Sequence, residues 1–390
     1  MRTKLKYVVD IVNGATPSTA EPDYWDGSIE WATPDDLGKL TDKYIFHTTR
    51  KITDAGLANC GASLSPKGSI LLSTRAPIGH IAISQIPICC NQGCRILKPT
   101  SHIETSYMYY CLSDSKACLN ALGQGSTFVE LSRERLAAMQ INLPPIEEQK
   151  AIVSFLDRET SRIDALIQKK ERLIELLKEK RIALITQAVT KGLDPNVPMK
   201  DSGIEWLGEV PEHWEVKKFV YACVLQRGFD LPSESFVEGE YPVMGSNGII
   251  GYHNVYTTLA PNVTVGRSGS VGKVNLITSN FWAHNTSLFV LDGKSNCMKW
   301  IYYLLLSIDM DSVSEGSAVP TLNRNYIHRM MIAIPPRTEQ IAVSDMLDSY
   351  LFNIDDTIGK LETSITLLRE YRSSLINAAV TGKIDLREAL

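Results

Sequence analysis

Along the last third of the chain, apolar residues recur at spacings that alternate between four and three: Leu347, Leu351, Ile354, Ile358, Leu361, Ile365, Leu368, Leu375 and Ala379. Arg372 is the one interruption. Such a seam is the signature of a coiled coil. An earlier stretch repeats it through Leu156, Ile163, Ile167, Ile174, Leu177, Leu184 and Ala188, with Thr160, Lys170 and Arg181 as polar members. Each pattern predicts a helix of roughly 40 residues, ~60 Å long at the rise of an α-helix. Alone, either helix would leave its apolar stripe in water, and the other copy is the obvious cover. A pseudo-twofold relation would pair the two antiparallel. The competing arrangement lays each helix on its own globular part.

The helices belong to a longer repeat. Leu143-Pro144-Pro145-Ile146-Glu147-Glu148-Gln149 returns as Ile334-Pro335-Pro336-Arg337-Thr338-Glu339-Gln340, from 144 to 335, a shift of 191. The same shift carries Gly125-Ser126 onto Gly316-Ser317, Leu131 onto Leu322, Arg133 onto Arg324, and Ala188-Val189-Thr190 onto Ala379-Val380-Thr381. It also makes Arg181 and Arg372 one seam position, where a polar residue sets register. The diprolines suit the first helical position, Glu147 and Glu148 the first turn, and Gly192 and Gly382 the C-caps. Upstream of Gly125 the match loosens. There Arg75-Ala76-Pro77-Ile78-Gly79-His80 lies beside Arg267 to Lys273 only if one residue is inserted.

Both loosely matched regions show short β-like runs broken by turn residues: Ser69 to Leu72, Ile78 to Ile83, Val263 to Val265, Val274 to Ile277 and Ser287 to Leu291. Helical stretches follow near Tyr107 to Leu122 and Met298 to Ile308. The fold class is therefore α+β, with two globular modules and two long antiparallel coiled-coil helices. The boundaries are a first module at 1–143, a long helix at 144–192, a linker at 193–214, a second module at 215–334, a second helix at 335–383 and a tail at 384–390. Trp206 and Trp214 make the linker an ordered connector, because aromatic residues in linkers dock.

Composition is that of a globular chain, 44% hydrophobic and 22% charged, without a membrane-length apolar run, and the polar opening segment leads us to expect no secretory leader. The expectation is a cytoplasmic protein. Its net charge of −4 gives nucleic acid no general attraction. Any DNA affinity must come from local positive charge, such as that at Lys43, His47, Arg50 and Lys51. The eight cysteines contain no Cys-x-x-Cys pair, so buried thiols are expected and no metal site.

Arg75 and Arg267 stand in glycine-bearing turns between strands, followed by Gly79-His80 and Gly272-Lys273. An arginine on such a loop can reach a base edge or a phosphate. Equally, it can pair with a local carboxylate. With Lys43, Arg50, Lys51, Gln92, Asn247, Ser270 and His284 these residues form the candidate DNA-contact set. Catalytic signatures are missing. Gly266 to Lys273 has the wrong spacing for a phosphate loop, no His-Glu-x-x-His occurs, and Leu143-Pro144-Pro145 lacks the flanks of an amino-methyltransferase diproline.

These motifs resemble those of the DNA-specificity subunits of type I restriction-modification systems. The likeness rests on the diproline-Glu-Gln segments, the Ala-Val-Thr helix ends, Gly203 to Trp214, and Tyr24-Trp25-Asp26-Gly27 to Pro34. It implies a non-catalytic subunit with two target-recognition domains, each reading half of a split, asymmetric double-stranded DNA target. It also implies that two methyltransferase subunits dock on the seam helices and that translocase-nuclease (restriction) subunits join them. S-adenosylmethionine, ATP and Mg2+ would sit on those partners, and no cofactor on this chain. One departure is visible: the Gly-Ile-Glu-Trp segment precedes only the second module. A coiled-coil scaffold joining two protein-binding modules is the competing reading.

Overall fold

The computed structural model describes residues 2–124, 129–310, 314–315 and 321–384, so Gly125-Ser126, Gly316-Ser317 and residues 385–390 of the tail lie outside the description. Two compact units emerge: Met1–Lys169 with Ser364–Leu390, and Lys170–Thr363. Each therefore combines one module, the first half of the helix that follows it and the second half of the other helix.

The long helices are Ile146–Lys191, 46 residues, and Arg337–Val380, 44 residues. Each starts two residues later than expected, at 146 and 337 and not at 144 and 335. Pro145 and Pro336 act as N-caps whose carbonyls accept the first helical bonds, from Gln149 N and Gln340 N, both at 3.0 Å. Glu147 and Glu148 stand in the first turn. Gly192 and Gly382 take φ values of 75° and 76° past the helix ends. At Gly382 the paired bonds Lys383 N to Ala378 O (2.8 Å) and Gly382 N to Ala379 O (3.2 Å) make a Schellman close.

In both units the helix segments run antiparallel. In the first, Asn142 Nδ2, just before the first long helix, donates to Val380 O at 3.4 Å, while Arg372 Nε donates to Asp164 Oδ1 at 2.9 Å. In the second, Trp214 lies against Gly192 and donates to Glu339 Oε2 at 2.9 Å, while Arg181 Nε lies 3.4 Å from Asp355 Oδ1. The last is an ion contact without hydrogen-bond alignment. The seam residues Leu156, Ile163, Ile167, Ile174, Leu347, Leu351, Ile354, Ile365 and Leu375 are buried, and Leu177, Leu184, Ile358, Leu361 and Leu368 are half-buried. They face inward, so they hold each unit together; the apolar residues left outside are others, such as Leu166, Leu173, Leu176 and Leu367.

Both competing arrangements of the helices are used at once. Besides meeting its antiparallel mate, the first half of each long helix lies on its own module. Tyr110 Oη and Lys43 Nζ both donate to Asp157 Oδ1 at 2.5 Å. Tyr303 Oη and Lys299 Nζ both donate to Asp348, again at 2.5 Å. Asp157 and Asp348 are the same position of the repeat, from 157 to 348.

The invariant-looking Gln of the diproline segment acts as a buried staple. Gln149, fully buried, donates to Pro144 O (2.9 Å) and His102 O (3.1 Å) and accepts from Glu104 N (2.8 Å). Gln340 donates to Pro335 O (2.9 Å) and Asn296 Oδ1 (2.6 Å) and accepts from Cys297 N (2.8 Å). Glu104 and Cys297 are the N-caps of the module helices Thr105–Asp114 and Met298–Leu306. One amide thus ties a long helix to the start of a module helix.

The modules share a sheet plan. In the first, Val9–Asn13, Cys94–Pro99, Ile70–Ser73, Ile81–Ser84 and Tyr44–Ile45 lie side by side in that order; in the second, Val224–Arg227, Ser287–Asp292, Asn262–Gly266 and Val274–Ile277 do so. A second small sheet places Trp25–Ala32 between Arg50–Ile52 (antiparallel) and Ile88–Cys90 (parallel). Its counterpart places Tyr241–Gly245 between Gly248–His253 and Trp282–Ala283. Here the modules diverge. Residues 33–49 of the first carry a helix (Pro34–Gly38) and the strand Tyr44–Ile45, whereas Ser246-Asn247 of the second make a two-residue hairpin turn.

The linker is ordered but only partly as expected. Trp214, Leu207 and Val210 are buried with Ala333, whereas Trp206 remains 41% exposed.

Candidate nucleic-acid interface

The turn that carries Arg75 has the same length as the turn that carries Arg267, and no residue is inserted. Gly79 N donates to Ser73 O at 3.0 Å, and Gly272 N to Gly266 O at 2.9 Å. Ser73 thus matches Gly266, His80 matches Lys273, and the shift is 193 from end to end. The two arginines are consequently neighbours and not equivalents. Thr74, whose N meets Gly93 O at 2.8 Å, occupies the place of Arg267, whose N meets Thr286 O at 2.8 Å. Arg75 occupies the place of Ser268. Aligning arginine on arginine had required the gap; the backbone bonds remove it.

In the first module Arg75 is answered from within. Its Nε lies 3.1 Å from Glu130 Oε2, and Arg95 Nη2 lies 3.3 Å from Glu130 Oε1. Arg95 also donates to the carbonyl of Gln92 at 3.2 Å, and the Gln92 side chain meets the Thr16 hydroxyl. Arg50 stacks on Trp25, its guanidinium carbon 3.6 Å from the ring centroid, with Trp31 edge-on to Trp25 at 5.2 Å. Trp31 and Trp25 are anchored by bonds to Ala15 O (2.9 Å) and Ser18 O (3.1 Å). Such a platform presents a cation over a π-face at an exposed position.

Lys51 Nζ lies 2.7 Å from Glu30 Oε1, and exposed His47 lies 3.9 Å from it. Burial pushes the Glu30 carboxyl up, but Lys51 and Thr48 outweigh it and hold the group below the usual carboxylate range. Lys43 is a correction. Only 15% of its side chain is exposed, its ammonium is bound to Asp157 and lies over the Tyr110 ring, and it belongs to the frame that seats the long helix. His80 lies beside Gly38, and its backbone N donates to Ser73 Oγ at 2.8 Å.

In the second module three loops meet where only glycine fits. A Cβ at Gly266 would fall 2.0 Å from Ser270 O and 2.5 Å from Ser246 O. That close approach brings together the Ser246-Asn247 hairpin tip, the Arg267–Ser270 turn and Thr286, with Asn247 exposed. His284 joins through Nδ1 to Thr286 Oγ1 (2.9 Å), while its Nε2 meets Leu231 O (3.2 Å), so both ring nitrogens are engaged internally. Lys273 stands exposed at the end of the turn. Arg267 opens onto a pocket of about 370 Å3 shared with Arg227, Arg324, Thr321, Asn323 and Asn325. Sequence reasoning missed Glu130, Arg95 and Arg227. The shift of 191 that carries Arg133 onto Arg324 also carries Glu130 onto Thr321, which was the available signal.

Five of the eight cysteines, Cys89, Cys90, Cys94, Cys111 and Cys223, are buried thiols, whereas Cys60 and Cys297 are half-buried and Cys118 is exposed. Burial pushes Cys89, Cys94 and Cys111 up to about 12, so they carry no thiolate near neutrality. Among the described residues no group of three or more His, Cys, Asp or Glu could hold a metal ion.

Two stretches, residues 1–176 and 211–366, match the family model described as the type I restriction modification DNA specificity domain. The chain belongs to the type I restriction-modification DNA specificity family. Similar relatives are specificity subunits over nearly their whole lengths. The Methanocaldococcus jannaschii MjaIX specificity subunit is 28% identical, with 99% of this chain and 93% of the relative covered. The Escherichia coli EcoprrI specificity subunit is 26% identical, with 95% and 90% covered. A solved structure described under complex assembly and conformational transition of the type I R-M system shares the fold, with a TM-score of 0.78, 14% identity and 97% of both chains covered. The HsdS subunit from Thermoanaerobacter tengcongensis gives 0.57 at 14% identity, with 98% and 97% covered. Among the described residues of this specificity subunit, no helix is long and apolar enough to cross a membrane.

Proposed function

We propose that this specificity subunit reads a two-part, asymmetric duplex DNA target, one half with each module, and directs methyltransferase and restriction subunits to it. The observation that carries this reading is a common sheet frame bearing unlike loops: a Trp25–Arg50 platform and an Arg75–Glu130–Arg95 network in one module, and the Asn247, Ser270 and Arg267 cluster in the other. Equal frames with unlike loops suit unequal half-sites. The contact set is Arg50, Lys51, Arg75, His80, Gln92, Asn247, Arg267, Ser270, Lys273 and His284.

In this reading the chain is non-catalytic and cytoplasmic. Methyl transfer, translocation and cleavage, with S-adenosylmethionine, ATP and Mg2+, belong to two methyltransferase subunits and to the restriction subunits. The long helices act as a spacer that sets the number of unread base pairs between half-sites. The test is co-expression with the partner methyltransferase and mapping of methylated bases. A bipartite motif that vanishes without this chain is the expected result; unchanged methylation would sink the reading and leave the protein-binding scaffold. Inserting four residues at corresponding points of both long helices should change the tolerated spacer and leave both half-sites as they are.

A further inference from the structure

The pocket beneath Arg267 gathers Arg227, Arg267 and Arg324, and among the described residues no carboxylate lines it. The Arg267 guanidinium has no hydrogen-bond or ion partner among the described residues. Arg324 Nη1 reaches only the Leu225 carbonyl, at 3.4 Å. Arg227 meets Asp230 at 2.9 Å, but both side chains are more than half exposed, and such surface pairs hold weakly. Thr321, Asn323 and Asn325 add neutral polar groups at the rim.

The first module has the matching place already filled. Strand pairing puts Arg227 across from Leu288, as Asn13 lies across from Arg95. Arg95 thus stands where Leu288 stands, Arg133 where Arg324 stands, and Glu130 where Thr321 stands. Glu130 receives both Arg75 and Arg95. One module supplies its own anion; the other presents the cations with no carboxylate answering Arg267 among the described residues.

We infer that the Arg227–Arg267–Arg324 pocket is a phosphate seat, taking a backbone phosphodiester of duplex DNA and anchoring the second module without reading sequence. Three arginines lining one small pocket answer a formal negative charge. A base edge is neutral, and one bidentate arginine suffices for it. The inference rests on the DNA-reading function proposed above and divides its contacts into anchoring and reading.

The test uses the full chain assembled with its methyltransferase partner, measuring Kd for a target duplex and for an unrelated duplex of equal length across a range of salt. Arg267→Ala and Thr321→Glu should each weaken both duplexes by the same factor. At 0.15 M salt that factor is about 5, and the log–log salt slope becomes shallower by about 0.9. Arg267→Lys should restore most of the slope, and the methylation motif should stay unchanged. Should Arg267→Ala fail to fold, Arg324→Gln at wild-type Tm carries the same expectation. A motif relaxed at one half-site with unrelated-duplex affinity intact would make Arg267 a base reader and overturn the seat. An unaltered slope would overturn it as well. Inorganic phosphate, compared with chloride at equal ionic strength, should compete with DNA for the wild type and lose that advantage in Arg267→Ala. Tight phosphate binding that leaves DNA affinity untouched would overturn the duplex as its ligand. Failure of the DNA-reading function itself shows separately, as a wild-type complex that favours no duplex.

Discussion

The two modules carry the same sheets, the same amide staple and the same Tyr-Lys-Asp contact to a long helix, yet they treat positive charge in opposite ways. The first neutralises its loop cations internally: Lys51 on Glu30, Arg75 and Arg95 on Glu130. It leaves Arg50 displayed on a tryptophan. The second leaves Arg267 unanswered among the described residues and bundles three arginines around one pocket. A repeat preserves what must be packed, because buried amides and seams tolerate little change, and it frees what faces solvent. Recognition can therefore diverge while the frame stays fixed.

The largest test of that comparison lies in the frame. Gln149→Leu and Gln340→Leu each strip a buried N–H and two acceptors of their partners, at about 1–3 kcal/mol for each orphaned group. Both should lower unfolding stability by about 3 kcal/mol or more, and by similar amounts, in denaturant titrations. A large loss from one and a small loss from the other would break the claim of a shared frame.

Next comes a feature found only in the first module. Asp36 accepts from the N and Oγ1 of Thr33 (2.8 and 2.6 Å) and of Thr49 (2.8 and 2.6 Å), tying the two ends of the segment that a hairpin replaces in the second module. Burial pushes its carboxyl up, but these bonds outweigh burial and hold it below the usual aspartate range. A depressed carboxyl contributes stability that is present above its unfolded pKa and lost as pH falls through the folded value. Acidification should therefore loosen residues 33–49 before the second module responds. Asp36→Asn should cost about 1.5–3 kcal/mol at neutral pH and flatten the acid dependence, read by hydrogen exchange.

Third, Glu130→Thr should make the first module resemble the second by releasing Arg75 and Arg95. Affinity of the assembled complex for unrelated duplex should rise, with a steeper salt slope, by about 5-fold at 0.15 M salt for one added phosphate contact. A loss of affinity would show that Glu130 orients Arg75 for a base. The smallest effect belongs to the matched seam arginines. Arg372→Ala and Arg181→Ala remove half-exposed pairs to Asp164 and Asp355 and should each cost about 0.5 kcal/mol, the first slightly more because its bond is shorter and aligned. Charge reversal of both members of either pair should recover that loss.

Much of the frame could be read before any coordinates. The alternating four-three spacing and the residues flanking it located both helices to within three residues at every end, where helix boundaries are least sharply defined. The glycines past their ends marked the caps, and the strand runs at 263–265, 274–277 and 287–291 lay where strands form. The contact candidates fared less evenly. Asn247, Arg267 and Ser270 come together, whereas Lys43 is drawn into the frame and both ring nitrogens of His284 are used internally. A lysine's sequence position says nothing of the aspartate it will meet 114 residues later.

Periodicity, caps and the repeat are local or translational properties, and the sequence by itself determined them: two modules, two seam helices, one family. Pairings between residues far apart depend on which strands lie side by side, and only the tertiary structure decided those. It set Arg75 in Ser268's place, put Glu130 between two arginines, and left Arg267 without a partner among the described residues. The physical reason is that a guanidinium finds its partner through space, and the sheet, not the spacing, decides whether that partner comes within hydrogen-bonding reach.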